Sequence, residues 1–149
     1  MKDFETSLNS LLVDTFNLIL KYEELSLKSI SGGPVTISEA HMIEAISAQN
    51  TDVTVSTLAD SLNIAPPTVT VAIKKLEKKG LVQKTPSTTD GRRFYLHLTE
   101  TGQKIARAHQ IFHTRMVRNI SSQFPEEEKA TLLAAVNKLN EFFAAKVEA

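Results

Sequence analysis

Apolar residues recur every three or four positions from Asp3 to about Ile30, at Phe4, Leu8, Leu11, Leu12, Phe16, Ile19, Tyr22 and Leu25. This spacing predicts one long amphipathic helix. Ser31-Gly32-Gly33-Pro34 stops it. Thr36-Ile37-Ser38-Glu39 has the spacing of a capping box, in which the threonine oxygen accepts from the N3 amide and the glutamate reaches back. A second helix then runs to about Gln49 and turns Ala40, Ile43 and Ile46 inward. After the break at Asn50-Thr51-Asp52, Thr54 or Ser56 caps a short helix with Leu58, Ala59 and Leu62 on its inner side, and Asn63 ends it.

Ala65-Pro66-Pro67 opens the next helix, since proline in the first turn sacrifices no hydrogen bond and presets φ. Val69, Ile73 and Leu76 form its buried stripe as far as Gly80, a left-handed terminator. Leu81–Thr85 and Phe94–Leu98 read as two short strands joined by a turn-rich tip, Pro86 to Arg93. Thr99 caps a long helix to about Gln123, and Pro125-Glu126-Glu127-Glu128 opens a last one with its acids against the positive end of the helix dipole. Its apolar seam is Leu132, Val136, Leu139 and Phe143. Two helices joined by a turn of about three residues, then a hairpin, give a winged helix-turn-helix between about Thr54 and Leu98. The fold class is mostly α with a small β-hairpin wing.

Composition narrows the function. A chain of 149 residues with 42% apolar content is long enough for one domain with a core. It has no cysteine, no Gly-rich phosphate loop and no Gly-flanked serine, so it is not expected to be an enzyme. The mixed-charge N-terminus is not a signal peptide, and no apolar run approaches membrane-spanning length; a cytoplasmic protein without a membrane partner is expected. The net charge is zero, but its distribution is uneven. Residues 1–60 hold three Lys/Arg against nine Asp/Glu, whereas Lys74, Lys75, Lys78, Lys79, Lys84, Arg92 and Arg93 face only Glu77 and Asp90 within residues 74–93. That local basic stretch suits double-stranded DNA; a solvated lysine-rich helix face is the simpler alternative, and a protein-interaction module built on the winged fold is another.

With Val69, Ile73 and Leu76 turned inward, the helix from Pro66 presents Pro67, Thr68, Thr70, Val71, Lys74, Lys75 and Lys78 outward. Short groups lie at its N-terminal end, where a recognition helix meets base edges, and lysines lie further along, where phosphates pass. Threonine hydroxyls donate or accept, and the methyls of Thr and Val pack on thymine methyl groups. In the hairpin, the weakly hydrated guanidinium of Arg92 or Arg93 favours the strong negative potential of a narrow minor groove. Asp90 stands close enough to neutralise one of them, and Gly91 permits a positive φ at the tip.

These residues carry a resemblance. Leu58-Ala59-x-x-Leu62, Pro67-Thr68-Val69-Thr70, Leu76-Glu77-x-x-Gly80-Leu81-Val82, Asp90-Gly91-Arg92-Arg93 and Leu98-Thr99-x-x-Gly102 resemble the MarR family from end to end. The resemblance implies a single domain over residues 1–149. Residues 1–34 and 100–149 would form a helical dimerisation region, and residues 36–98 the winged DNA-binding region. It also implies a triangular homodimer that reads a pseudopalindromic operator as a repressor, with Arg92 or Arg93 in the minor groove and Asp90 holding the hairpin through an ion pair. Where many members carry arginine this chain has Val71, which replaces a guanine contact by a thymine-methyl contact.

The signal is expected where the first, second and fifth helices meet. His109 and His113 are four apart on one helical face, and His41, Glu23 and Glu24 lie on the helices expected beside them. Two imidazoles at this spacing with a third and a carboxylate would suit tetrahedral zinc, with Glu23, His41, His109 and His113 as ligands; the zinc-uptake repressors of the family resemble this pattern. Glu23-Glu24-x-x-Leu27, Ile37-Ser38-Glu39-Ala40-His41 and His109-x-x-Phe112-His113-x-x-Met116-Val117 resemble still more the fatty-acid-synthesis repressors (FabT type). That likeness implies an acyl chain carried by acyl carrier protein as corepressor, in an apolar pocket near Phe16, Leu27, His41, Ile43, Phe112 and Met116, with no obligatory cofactor. An unidentified small aromatic effector, core packing, and a hydrogen-bonded histidine network remain open beside these.

Overall fold

The computed structural model describes residues 3–31, 35–49, 52–89 and 91–148. Among them lie six helices and one two-stranded antiparallel sheet, in the order α1 (Phe4–Ser31), α2 (Ile37–Ala48), α3 (Val55–Leu62), α4 (Pro66–Lys78), β1 (Val82–Pro86), β2 (Phe94–Leu98), α5 (Glu100–Ser121) and α6 (Glu126–Glu148). This is the mostly helical winged helix-turn-helix expected from the hydrophobic pattern. The breaks read at Gly32-Gly33-Pro34 and Asn50-Thr51, and the aspartate Asp90, lie outside the described residues. Residues Met1–Gln110 form one compact unit and Ile111–Ala149 a second, comprising the end of α5 and all of α6.

Local chemistry sets the element ends. Thr36 completes its capping box, with its hydroxyl oxygen accepting from the Glu39 amide and Glu39 Oε1 accepting from the Thr36 amide. At α3 the cap is Thr54 rather than Ser56, and Thr57 takes the reciprocal role. Asn63 ends α3 in the left-handed region (φ 55°), with the Ile64 amide bonded back to the Ala59 carbonyl. Gly80 does the same for α4 (φ 75°): the amides of Leu81 and Gly80 close on the carbonyls of Leu76 and Glu77. That closure delivers Leu81 straight into the core beside Leu76. Among the described residues positive φ occurs at Asn63 and Gly80; the φ of Gly91 depends on Asp90 and lies outside the described residues.

The core of the first unit sits between α2, α3, α4, the wing and the start of α5. Ile43, Leu58, Val69, Ile73, Leu76 and Leu96 are essentially inaccessible to solvent. The inward sets expected for α2 and α4 are therefore in place. The wing pairs Val82 with Leu98 through to Pro86 with Phe94, and the Leu96 amide donates to the Val53 carbonyl, fastening the hairpin to the segment that enters α3. Thr99 ties wing to helix: its hydroxyl donates to the Gly80 carbonyl (2.7 Å) and accepts from the Gly102 amide, while its own amide donates to the Leu81 carbonyl.

The outer helices behave differently. On α1, Phe4, Leu11, Phe16, Leu18, Tyr22 and Leu25 are exposed, and in the second unit α6 buries no residue and exposes Leu133, Val136, Phe142, Phe143 and Val147. The predicted seams exist, but among the described residues much of each faces solvent.

Gly102 provides a direct test of the packing, because a Cβ there would meet the Leu81 carbonyl oxygen at 2.2 Å, whereas one at Gly91 would meet nothing. Gly102→Ala should cost about 1–3 kcal/mol in urea unfolding, and Gly91→Ala should stay within about 0.5 kcal/mol of the parent. Equal midpoints for the two variants would contradict the packing.

Candidate nucleic-acid interface and buried carboxylate–imidazole cluster

Helix α4 divides sharply into two faces. Val69, Ile73 and Leu76 are each 0% exposed, and Pro67, Thr68, Val71, Lys74 and Lys75 lie on the solvent side. The paired prolines explain the N-terminal end. Two of the amides that a helix start leaves unbonded do not exist here, and Ala65 needs no side-chain cap. Thr70 is half-buried, and its hydroxyl donates to the Pro66 carbonyl at 3.1 Å. Its proton is thereby committed to the helix, leaving its oxygen and methyl to face outward contacts.

The basic stretch separates in the same way. Lys84 pairs with Glu77 at 3.2 Å and Lys79 with Glu39 at 2.7 Å, so these two help hold the domain together. Lys74 and Lys75 are exposed and form no ion pair among the described residues. Arg92 and Arg93 are exposed at the hairpin tip, where the Ser87 amide donates to the Arg93 carbonyl and closes the loop. A cleft of about 420 Å³ runs between the start of α3 and the wing, past Ser56, Lys84, Arg92 and Arg93. Short groups on α4, Lys74 and Lys75 beside them and the wing arginines thus make a surface with the chemistry to meet bases and phosphates.

A second constellation lies in the first unit, buried at Glu23 and His109 and open to solvent at His41, whose side chain is 47% exposed. Glu23 of α1 is 4% exposed, and its Oε1 lies 3.0 Å from His41 Nε2 of α2 and 2.7 Å from His109 Nε2 of α5. His109 is fully buried, and Glu44 Oε1 stands 2.6 Å from its other nitrogen, Nδ1. Burial pushes the Glu23 carboxyl up, but the hydrogen bonds and positive charge of His41 and His109 outweigh it and hold the group below its ordinary value. Of the residues expected here, Glu23, His41 and His109 meet within the first unit. His113, of the second unit, stands edge-on to Phe112 at 5.4 Å, and Glu24 faces outward to Lys21 and Lys28. Glu44 was absent from the expected set, although its spacing of three from His41 puts both on one face of α2.

The residues expected to line an acyl pocket are distributed unevenly. Leu27 and Ile43 are core residues at 1% and 0% exposure, Phe16 is exposed, and Phe112 and Met116 are half-buried in the second unit.

Glu39 links α2 to α4. Burial raises its carboxyl, but the Lys79 ammonium and the Thr36 amide prevail and hold it below the ordinary value of 4.5. This pair too has no signature in the sequence beyond the capping box.

Comparison with known proteins agrees with this geometry. The profile of the MarR family matches residues 35–94. The chain is 31% identical to the transcriptional regulator AdcR of Streptococcus pyogenes, over 99% of this chain and 96% of that protein. It is 27% identical to the transcriptional regulator ZitR of Lactococcus lactis, over 83% and 86%. Among solved structures it resembles Streptococcus pneumoniae FabT in complex with DNA, with 33% identity, a TM-score of 0.87 and coverage of 95% of this chain and 98% of that one. It also resembles the Staphylococcus aureus MepR–DNA complex, with 25% identity, a TM-score of 0.71 and coverage of 89% and 96%.

The Glu39–Lys79 pair yields a pH prediction. A carboxyl whose folded pKa is depressed contributes stability that is present above its unfolded value and lost as pH falls through the folded one. Glu39→Gln should therefore be less stable than the parent near neutrality, and the gap should narrow as pH falls below about 4.5. Urea midpoints across that range check this; a gap that stays constant into acid would contradict it.

Proposed function

The chain belongs to the MarR family of DNA-binding transcriptional regulators, and we propose that it is a homodimeric repressor of fatty-acid-synthesis genes that reads a pseudopalindromic operator. The observation that carries the DNA-reading part is the two-faced α4, inaccessible along Val69, Ile73 and Leu76 and open along Pro67, Thr68, Val71, Lys74 and Lys75. Pro67, Thr68, Thr70 and Val71 meet base edges, with the Val71 methyls on a thymine methyl. Lys74 and Lys75 meet phosphates, and Arg92 or Arg93 enters the minor groove. The exposed apolar seams of α1 and α6 supply the dimer interface, since exposed faces of this extent mark an association surface.

For the effector, the resemblance of the sequence to the fatty-acid-synthesis repressors favours an acyl chain delivered by acyl carrier protein, and the likeness to FabT extends over nearly the whole chain. A specific observation favours a second reading, zinc. Two imidazole nitrogens converge on one Glu23 oxygen, and Glu44 faces the remaining nitrogen of one of those rings. Glu23, His41 and His109 have the donor set zinc takes, and His113 is the fourth candidate. Glu44 would fix the His109 ring from behind, as carboxylates do for zinc-bound imidazoles. Metal would replace the protons that bond this cluster in its absence.

Arg92→Ala/Arg93→Ala should abolish binding to an operator duplex while sedimentation still gives a dimer, whereas unchanged affinity would remove the wing from the interface. Lys74→Ala should weaken all duplexes about equally and lower the slope of log K against log salt by about one. A loss confined to one sequence would point to a base contact instead. Native protein purified without chelator should carry long-chain acyl groups and substoichiometric zinc; zinc near one per chain would favour the second reading over the first.

A further inference from the structure

One acid is set inside the basic stretch. Glu77 lies on α4, and among the described residues its ion-pair partner is Lys84 of β1, with Oε1 and Nζ 3.2 Å apart. Lys84 also lines the cleft of about 420 Å³ between the start of α3 and the wing, together with Ser56, Arg92 and Arg93. Among the described residues Glu77 does not line that cleft. The side chain of Lys84 therefore forms part of the cleft wall, while a carboxylate outside the cleft holds its charge.

The hold is weak and replaceable. The lysine and glutamate side chains are 31% and 33% exposed, and an ion pair open to water to that degree is only marginally favourable. Lysine's flexible stem lets its ammonium change partners while the backbone stays in place. The cleft itself selects an anion. Three cationic side chains border it, and so does the start of α3, the end of a helix that favours negative charge. A phosphate drawn into it would meet Lys84 as well as Arg92 and Arg93, and Glu77 would be left without its partner beside the same negative charge.

We propose that Glu77 is a brake on DNA binding: Lys84 is a phosphate-binding residue that Glu77 holds in reserve, and a duplex must take Lys84 from Glu77 to gain that contact. The exchange has a salt signature. An unpaired lysine that neutralises a phosphate releases a counterion and adds about 0.9 to the slope of log K against log salt. In the exchange, the cation released from the phosphate is offset by one drawn to the uncovered Glu77, so Lys84 adds little. The contact also carries no sequence information, because phosphate contacts position a protein without reading bases. This role rests on the proposed placement of the wing against DNA, and it makes one acid within that surface a limit on how tightly any duplex is held.

The exchange is tested by the affinity of the full-length protein for an operator duplex and a random-sequence duplex, titrated from about 50 to 200 mM salt. At the low-salt end Glu77→Gln should bind both duplexes at least ~3-fold more tightly than the parent, with a slope steeper by about 0.9. Adding Lys84→Gln to that variant should return affinity and slope to those of the parent. Adding Lys104→Gln instead, which gives the same net charge from an exposed position on α5, should keep the gain. Should Glu77→Gln fail to fold by circular dichroism, Glu77→Ala takes its place. Unchanged affinity and slope, a gain that Lys84→Gln leaves intact, or one that Lys104→Gln removes as fully would each overturn the role of Lys84. A gain confined to the operator would overturn the phosphate contact. A parent that binds duplex while Glu77→Gln changes nothing would overturn the brake alone; a parent that binds no duplex would overturn the repressor reading and the brake together.

Discussion

The seating of α4 is the constraint on which the rest of the molecule depends. Val69, Ile73 and Leu76 are fully removed from water, and each such side chain contributes roughly 1.5–3 kcal/mol. The stripe they form allows only one rotation of the helix about its axis. A turn of about 100° would bring the next residue in sequence inward, so burial of the stripe also decides which residues face DNA. The left-handed closure at Gly80 then drops Leu81 beside Leu76, and Thr99 fastens the start of α5 to the carbonyls of Gly80 and Leu81. Recognition helix, wing and long helix are thereby set in one register by a few contacts of backbone and core.

Helix α2 unites the functional features of the first unit. Its N-terminal turn holds Glu39 against Lys79 of α4, and its next turn presents His41 and Glu44 to the cluster of Glu23 and His109. Its middle contributes Met42, Ile43 and Ile46 to the core. A rigid helix that touches both the reading element and the buried ionisable cluster on successive turns ties their positions together. The polar pairs cost desolvation, and what they add is one preferred arrangement, since breaking a buried pair leaves a charge without a partner.

Much of this was legible in the amino-acid sequence, for identifiable reasons. Periodicity marked the inward residues of α2 and α4 because both helices pack on a dense core, and the signals at Thr36, Asn63, Pro66, Gly80 and Thr99 act locally, within a few residues. What the sequence withheld depends on long-range contact. The uneven charge pointed to DNA, yet which lysines face solvent depends on Glu39, about forty positions away, and on Glu77 across the turn into the wing. Glu44 escaped notice because its meaning comes from His109, on a helix more than sixty residues later. The family was readable from combined spacing; the effector was not, because a carboxylate and imidazoles serve metal binding and proton networks equally well.

On this reading the outer face of α4 and the wing of two associated chains bind DNA largely through phosphate contacts. The most direct measurement is the affinity of the native protein for a duplex selected from a random pool, titrated from about 50 to 200 mM salt, with the stoichiometry determined in parallel. Two chains should bind per duplex, with an affinity that falls by roughly 10³-fold or more over that range. One chain per duplex, or an affinity indifferent to salt, would contradict it.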